Sequence, residues 1–223
     1  MEEDDPTCWT VIRGAAAGDR RDRAEFARRY MPVIRAYLGA RWRGTPLLAE
    51  TDDATQEVFL DCFREGGALT RVRPGPARAF RAFLHGVVRN VALRTEQARR
   101  RSGRPLDSGF DPPAEDPSLS DVFDRAFARS LIRQAAARQA DLARDAGPEA
   151  LRRVDLLRLR FEEALPIREI ARLWDADPAV VHHEYAKARR EFRRALAAVV
   201  REHHLGDDAE VEAECGRLLA HFS

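Results

Sequence analysis

Apolar side chains recur every three or four positions through most of this chain, which predicts helices, and no stretch shows the alternation of a half-buried strand. Trp9, Ile12 and Ala16 set a first run, and Phe26, Tyr30, Val33, Ile34, Tyr37 and Leu38 a second, with Gly18-Asp19 breaking 9–43 into two helices. Thr45-Pro46 marks the next boundary, where Thr51 or Asp52 can cap a helix running to about 63. Gly66-Gly67 stops that helix, and 66–77, holding Pro74, Gly75 and Pro76, reads as a loop. Phe80, Phe83, Leu84, Val87, Val88, Val91 and Leu93 carry the next helix, 80–101. The stretch 102–117 contains Gly103, Pro105, Gly109, Pro112, Pro113 and Pro117 and is poor in aliphatic residues. Such a segment cannot bury enough apolar surface to offset its ordering entropy, so it reads as a flexible linker and a domain boundary.

Helical periodicity resumes beyond it. Ser118 or Ser120 can cap a long helix to about 144, Gly147-Pro148 breaks it, and helices over 149–161, 167–174 and 179–201 follow. The expected fold is all-α: two helical domains, 8–101 and 118–201, joined by an acidic linker over 102–117. The last part, 202–223, is an acidic extension with at most a short amphipathic helix.

The sharpest local pattern lies in the second domain. A short helix carries Glu169-Ile170-Ala171, with small Ala171 where two helices must approach closely. A tight turn at Asp175-Ala176 leads to Asp177, a capping residue, and to Pro178 at the first helical position. In the next helix Val181, Tyr185, Ala188, Phe192, Leu196 and Val199 form a stripe to bury. Val180, His182, His183, Glu184, Lys187, Arg190 and Arg194 are left facing outward. This is the pattern of a helix-turn-helix, whose second helix meets base edges with its first turns and phosphates with later basic residues. An ordinary helical hairpin with a solubilising basic stripe is the alternative.

The net charge of +1 hides strong segregation. Between 64 and 104, eleven arginines stand against two glutamates; 105–124 holds six acids and no base; 187–201 holds six bases and one acid. Two basic blocks around an acidic one suggest two nucleic-acid-facing surfaces on a connector that does not bind DNA. Lys187 is the only lysine, so the placement of charge is informative and the choice of Arg is not.

A second pattern joins Asp52-Asp53-Ala54-Thr55-Gln56-Glu57-Val58-Phe59-Leu60 to Phe80-Arg81-Ala82-Phe83-Leu84 and Val88-Arg89-Asn90-Val91-Ala92. With Glu169-Ile170-Ala171 through Val181 to Ala188-Arg189 and Phe192, these motifs resemble the extracytoplasmic-function (ECF) sigma factors, of the sigma-70 family of bacterial RNA polymerase. Their order and spacing match over 8–101 and 120–200.

The resemblance implies that Asp53, Gln56 and Glu57, within about one helical turn of each other, dock on core RNA polymerase. It implies that the loop 66–78 and the following helix capture the opened minus-ten promoter element, with Arg71, Arg73, Arg78, Arg81, Arg89, Asn90 and Arg94 as clamps and reader. Arg94, with Arg99, Arg100 and Arg101, would also follow the upstream phosphates. Phe80 and Phe83 share a face with Leu84 and Val87, which favours core packing over base stacking. The minus-thirty-five element would fall to Val180, His182, His183, Glu184, Lys187, Arg190 and Arg194. Core polymerase and promoter DNA are the implied partners, and an anti-sigma factor is admitted.

The chain departs from the family pattern in three places. Phe83 replaces a usual Trp, the promoter loop is long and rich in Pro and Gly, and His182-His183-Glu184 stands where a basic, hydroxyl-rich run is usual. Glu184 can accept from a cytosine amine but repels phosphate.

Other classes find less support. No phosphate-binding glycine loop, metal-ligand spacing or nucleophile elbow is present, so neither an enzyme nor a cofactor is expected. His203-His204 reads as a surface pair near a helix end, not a metal site. Cys8, Cys62 and Cys215 lie far apart and read as ordinary, half-buried thiols. No apolar run reaches a membrane-spanning length, and the acidic start, Met1-Glu2-Glu3-Asp4-Asp5, is unlike a signal peptide, so a cytoplasmic protein is expected. A helix-turn-helix regulator acting without polymerase explains 149–200 only, and a sigma-like interaction protein that opens no promoter is the remaining reading.

Overall fold

A computed structural model describes residues 8–73, 77–103, 117–203 and 207–220. Among these the chain is all-α, with no strand. The helices are α1 (Cys8–Ala17), α2 (Arg20–Arg41), α3 (Thr51–Phe63), α4 (Ala77–Arg101), α5 (Pro117–Ala146), α6 (Pro148–Phe161), α7 (Ile167–Leu173), α8 (Pro178–His203) and α9 (Asp208–Ala220).

Local chemistry explains most of the boundaries. Gly18 takes a φ of 97°, a left-handed conformation open to glycine, and Asp19 then caps α2 by accepting from the Asp22 amide at 2.8 Å. The capping role expected of Thr51 or Asp52 is not realised. A 3-10 turn, Pro46–Glu50, runs straight into α3, and the Thr51 hydroxyl donates back to the Leu48 carbonyl at 2.8 Å. Thr45 caps that turn instead, accepting from the Leu47 amide at 3.2 Å. Within the expected loop, Ala68–Arg71 forms another 3-10 turn. Gly67 is required before it: a Cβ there would meet the carbonyl oxygens of Arg64, Asp61 and Cys62 at 2.6–2.9 Å. α5 starts at Pro117, ahead of both serines expected to cap it. The acidic extension folds into a 13-residue helix, α9, that buries Val211, Cys215 and Leu218.

Two apolar cores result. The larger gathers Trp9 and Ile12 of α1, Phe26, Tyr30, Ile34 and Tyr37 of α2, Val58 of α3 and Phe80, Leu84 and Val88 of α4. Leu119, Phe123, Phe127 and Leu131 of α5, Leu196 and Val199 of α8, and the α9 residues join the same core. Helices on both sides of 104–116 therefore share one buried interior, and α5 packs chiefly on α2, α8 and α6. Each fully buried large apolar side chain contributes about 1.5–3 kcal/mol. The smaller core holds Leu156 and Leu159 of α6, Ile167, Ile170 and Ala171 of α7, and Val181 of α8, flanked by Trp174 and Tyr185. α8 spans both, its first turns in the small core and its last turns in the large one.

Buried polar groups tie the large core. The Glu96 carboxylate accepts from Arg41 Nε at 2.6 Å, Arg41 Nη2 at 3.0 Å and Trp42 Nε1 at 2.9 Å, with the two charged side chains 4% and 1% exposed. His203 is buried, which corrects the expected surface pair; His204 lies outside the described residues. Its Nδ1 faces the Val199 carbonyl at 2.8 Å and must donate, so Nε2 accepts from the Tyr30 hydroxyl at 3.1 Å. The Ser130 hydroxyl donates to the Arg29 carbonyl at 2.6 Å. Burial lowers the His203 pKa to about 4 and keeps the ring neutral. Cys62 and Cys215 are buried, not half-buried, and burial pushes their thiols up to about 12 and about 11. The Cys8 side chain lies outside the described residues. No described helix is long and apolar enough to cross a membrane.

Candidate functional site

On α3 the buried positions Ala54, Thr55, Val58 and Cys62 form one face, and Asp53, Gln56 and Glu57 project together from the exposed side. Among the described residues no hydrogen bond or ion pair engages these three. Asp53 and Glu57 line an open depression completed by Glu50, Thr95, Ala98, Arg99 and Ser102, from the 3-10 turn and the end of α4. Arg99 is drawn into it by an ion pair with Glu50 at 2.5 Å, so it does not project with its neighbours as expected. Arg100 and Arg101 are exposed.

The residues read as minus-ten contacts separate into groups. Arg71 and Arg73 are exposed, and the side chain of Arg78 lies outside the described residues. Phe80 is fully buried against Trp9, Phe26, Tyr30 and Phe127, and Phe83 packs at the edge of the same core. Arg81, His85 and Arg89 follow one another at helical spacing along α4 and meet α2 and α5. Arg81 pairs with Asp124 at 3.4 Å, and the His85 ring lies 4.9 Å from Phe123 and 5.2 Å from Tyr37. Arg89 is half-buried and adds positive potential at Tyr37. Burial lowers the His85 pKa despite the nearby Asp124 carboxylate. Asn90 is exposed, and Arg94 pairs with Asp61 of α3.

At the C-terminal unit, α7 ends at Leu173 and the chain turns through Asp175 at a φ of 47°, a left-handed conformation that aspartate tolerates better than most residues. The Ala176 amide closes the turn on the Ala171 carbonyl at 2.9 Å. Asp177 caps α8, accepting from the Ala179 amide at 2.7 Å, with Pro178 in the first turn. These local signals behave as the sequence predicts. Val180 is 57% exposed, and His182, His183, Arg190 and Arg194 are exposed along one side of α8.

Glu184 and Lys187 are not free in the same way. The Glu184 carboxylate accepts from Lys187 Nζ at 2.9 Å and from Arg153 Nη1 at 3.3 Å, and Arg153 Nε also reaches both oxygens of Glu191 at 2.9 and 3.0 Å. This network fastens α6 to α8 beside the small core. The Lys187 hydrogen bond holds the Glu184 pKa below the ordinary carboxylate value against the opposing cost of burial, and Arg153 adds to the lowering. Glu191 raises the Arg153 pKa in return, and Glu184 adds to it.

Sequence reasoning missed the counter-ions: Asp124 for Arg81, Asp61 for Arg94, Glu50 for Arg99 and Arg153 for Glu184. All come from other helices or turns, so no spacing rule could have paired them. The pair of Glu184 with Lys187, by contrast, joins i,i+3 neighbours on one helix, a spacing the sequence shows. Among the described residues no group of three His, Cys, Asp or Glu side chains is arranged to hold a metal ion. No protein-family model matches this sequence, and no curated protein matches it.

Proposed function

We propose that this chain is a sigma factor of the ECF type, which binds core RNA polymerase, recognises the minus-ten and minus-thirty-five promoter elements and directs transcription initiation. On this reading α1 to α4 form the polymerase and minus-ten unit. α6 to α8 carry a helix-turn-helix, with α7 and the first half of α8 as its two helices. The observation that carries the reading is the polar face of α3. Asp53, Gln56 and Glu57 stand exposed together at the positions where the motif calls for a docking surface, and no described internal contact accounts for them. The exposed row His182, His183, Arg190 and Arg194 on α8 is consistent with groove and phosphate contacts.

The test is reconstitution with core polymerase on a library of promoter fragments, comparing the wild type with Gln56→Ala, Glu57→Ala. The double variant is expected to bind core polymerase about tenfold more weakly, about 1.4 kcal/mol, with helical content unchanged. Unchanged affinity removes the docking assignment. Duplex binding that never responds to core polymerase replaces the proposal by a regulator acting alone.

A further inference from the structure

The arginine stripe of α4 is not open along its length. Arg81 and His85 lie under the first two turns of α5, where Asp124 neutralises Arg81 and Phe123 covers His85 and Tyr37, and half-buried Arg89 follows one helical turn further along the stripe. Phe123 is 1% exposed, whereas the Arg81–Asp124 pair is about one-third exposed at each end. The contact thus has an apolar pin and a half-wet electrostatic latch.

Deeper in α5 the hold is of another kind. Phe127 stacks on Tyr30 at 6.1 Å, Ser130 bonds the Arg29 carbonyl at 2.6 Å, and Leu131 and Ala135 are buried. α5 packs on α2 far more extensively than on α4. Its first turns can therefore leave α4 while the remainder stays seated on α2. Helix ends open at lower cost than helix middles, because their first amides have no intrahelical partner to lose.

We propose that the first two turns of α5, 117–124, are an internal clasp that competes with single-stranded nucleic acid for the Arg81–His85–Arg89 stripe. Asp124 occupies the guanidinium that a phosphate would take, and Phe123 covers the ring edge on which an opened base would rest. Engagement of the strand at Arg81 and His85 requires 117–124 to lift, so the free chain holds part of its own binding surface closed. The inference rests on the reading of α4 as a nucleic-acid face.

The experiment uses the full chain and a labelled single-stranded oligonucleotide, with affinity read by fluorescence anisotropy. Asp124→Ala is expected to raise affinity about three- to fivefold, the release of one partly exposed ion pair. Asp121→Ala removes the same charge from the exposed side of the same turn and is expected to give a clearly smaller gain. Adding Arg81→Ala to Asp124→Ala is expected to abolish the gain. In hydrogen exchange, amides 121–127 are expected to exchange faster when the oligonucleotide is bound.

Equal gains from Asp124→Ala and Asp121→Ala, or slower exchange of 121–127 on binding, overturn the clasp. If Arg81→Ala still weakens the wild type in that case, the α4 reading stands without it. Binding indifferent to Arg81→Ala and Arg89→Ala in every background overturns both.

Discussion

Replacing Glu184 by alanine separates two roles that one carboxylate on α8 can play. If it reads a base, its loss relaxes preference at one base pair, worth about 1–3 kcal/mol against the preferred site. The structure instead engages it with Lys187 at 2.9 Å and Arg153 at 3.3 Å, its side chain 30% exposed. Each such partly exposed pair contributes about 0.2–1 kcal/mol, so the substitution should destabilise the fold by about 1 kcal/mol in all. Arg153 keeps Glu191, which limits the loss. In a chain of this size that is a fall of about 2–4 °C in Tm.

The same change frees Lys187 and leaves Arg153 with a single counter-ion. Non-specific duplex affinity should then rise, and the slope of log K against log salt should steepen by about 1. The pairing holds the Glu184 carboxyl below its ordinary value of 4.5, so its stabilisation is complete above that pH and disappears as pH falls through the folded pKa. Wild type and variant should therefore converge in acid. Thermal melting at pH 7 and pH 3, with binding-site selection on both proteins, measures all of this. An unmoved Tm with one relaxed base position would refute the argument and make Glu184 a reader.

Two further predictions concern the large core. Glu96→Gln leaves the Arg41 guanidinium buried without a counter-charge and should cost about 3–5 kcal/mol in urea unfolding, much of it recovered by Arg41→Met with Glu96→Leu; a cost below about 1 kcal/mol would show that the pair is solvated. Since the His203 pKa is depressed from 6.5 to about 4, the unfolded chain binds the extra proton first, and stability complete above pH 6.5 should fall by about 3 kcal/mol as pH drops to 4. His203→Gln should flatten that part of the unfolding free-energy profile; an identical pH slope in the variant would assign the loss to other groups.

Most of the helices were legible in the sequence, because the signals that start and stop them act over a few residues. Asp19, Asp177 with Pro178, Gly18 and Gly147-Pro148 end or begin helices where they stand, and the apolar stripes of α2, α4 and α8 name which faces are buried. The row on α3 was what the family resemblance implied, and its spacing within one helical turn is what puts the three side chains together. Partnership was decided by the tertiary structure alone. Phe123 and Phe127 of α5 were not singled out in the sequence, and it is Tyr37, His85, Tyr30 and Phe80 from other helices that bury them. A count of charge between 64 and 104 cannot show that Asp61, Glu50 and Asp124 cancel part of it, nor that Glu96 is a buried anchor. His203 looked like a surface residue because its neighbours in sequence are polar, and it is buried because α8 runs on into the large core beneath Tyr30. Capping and periodicity are local in the chain, whereas burial and ion pairing depend on which distant segments meet.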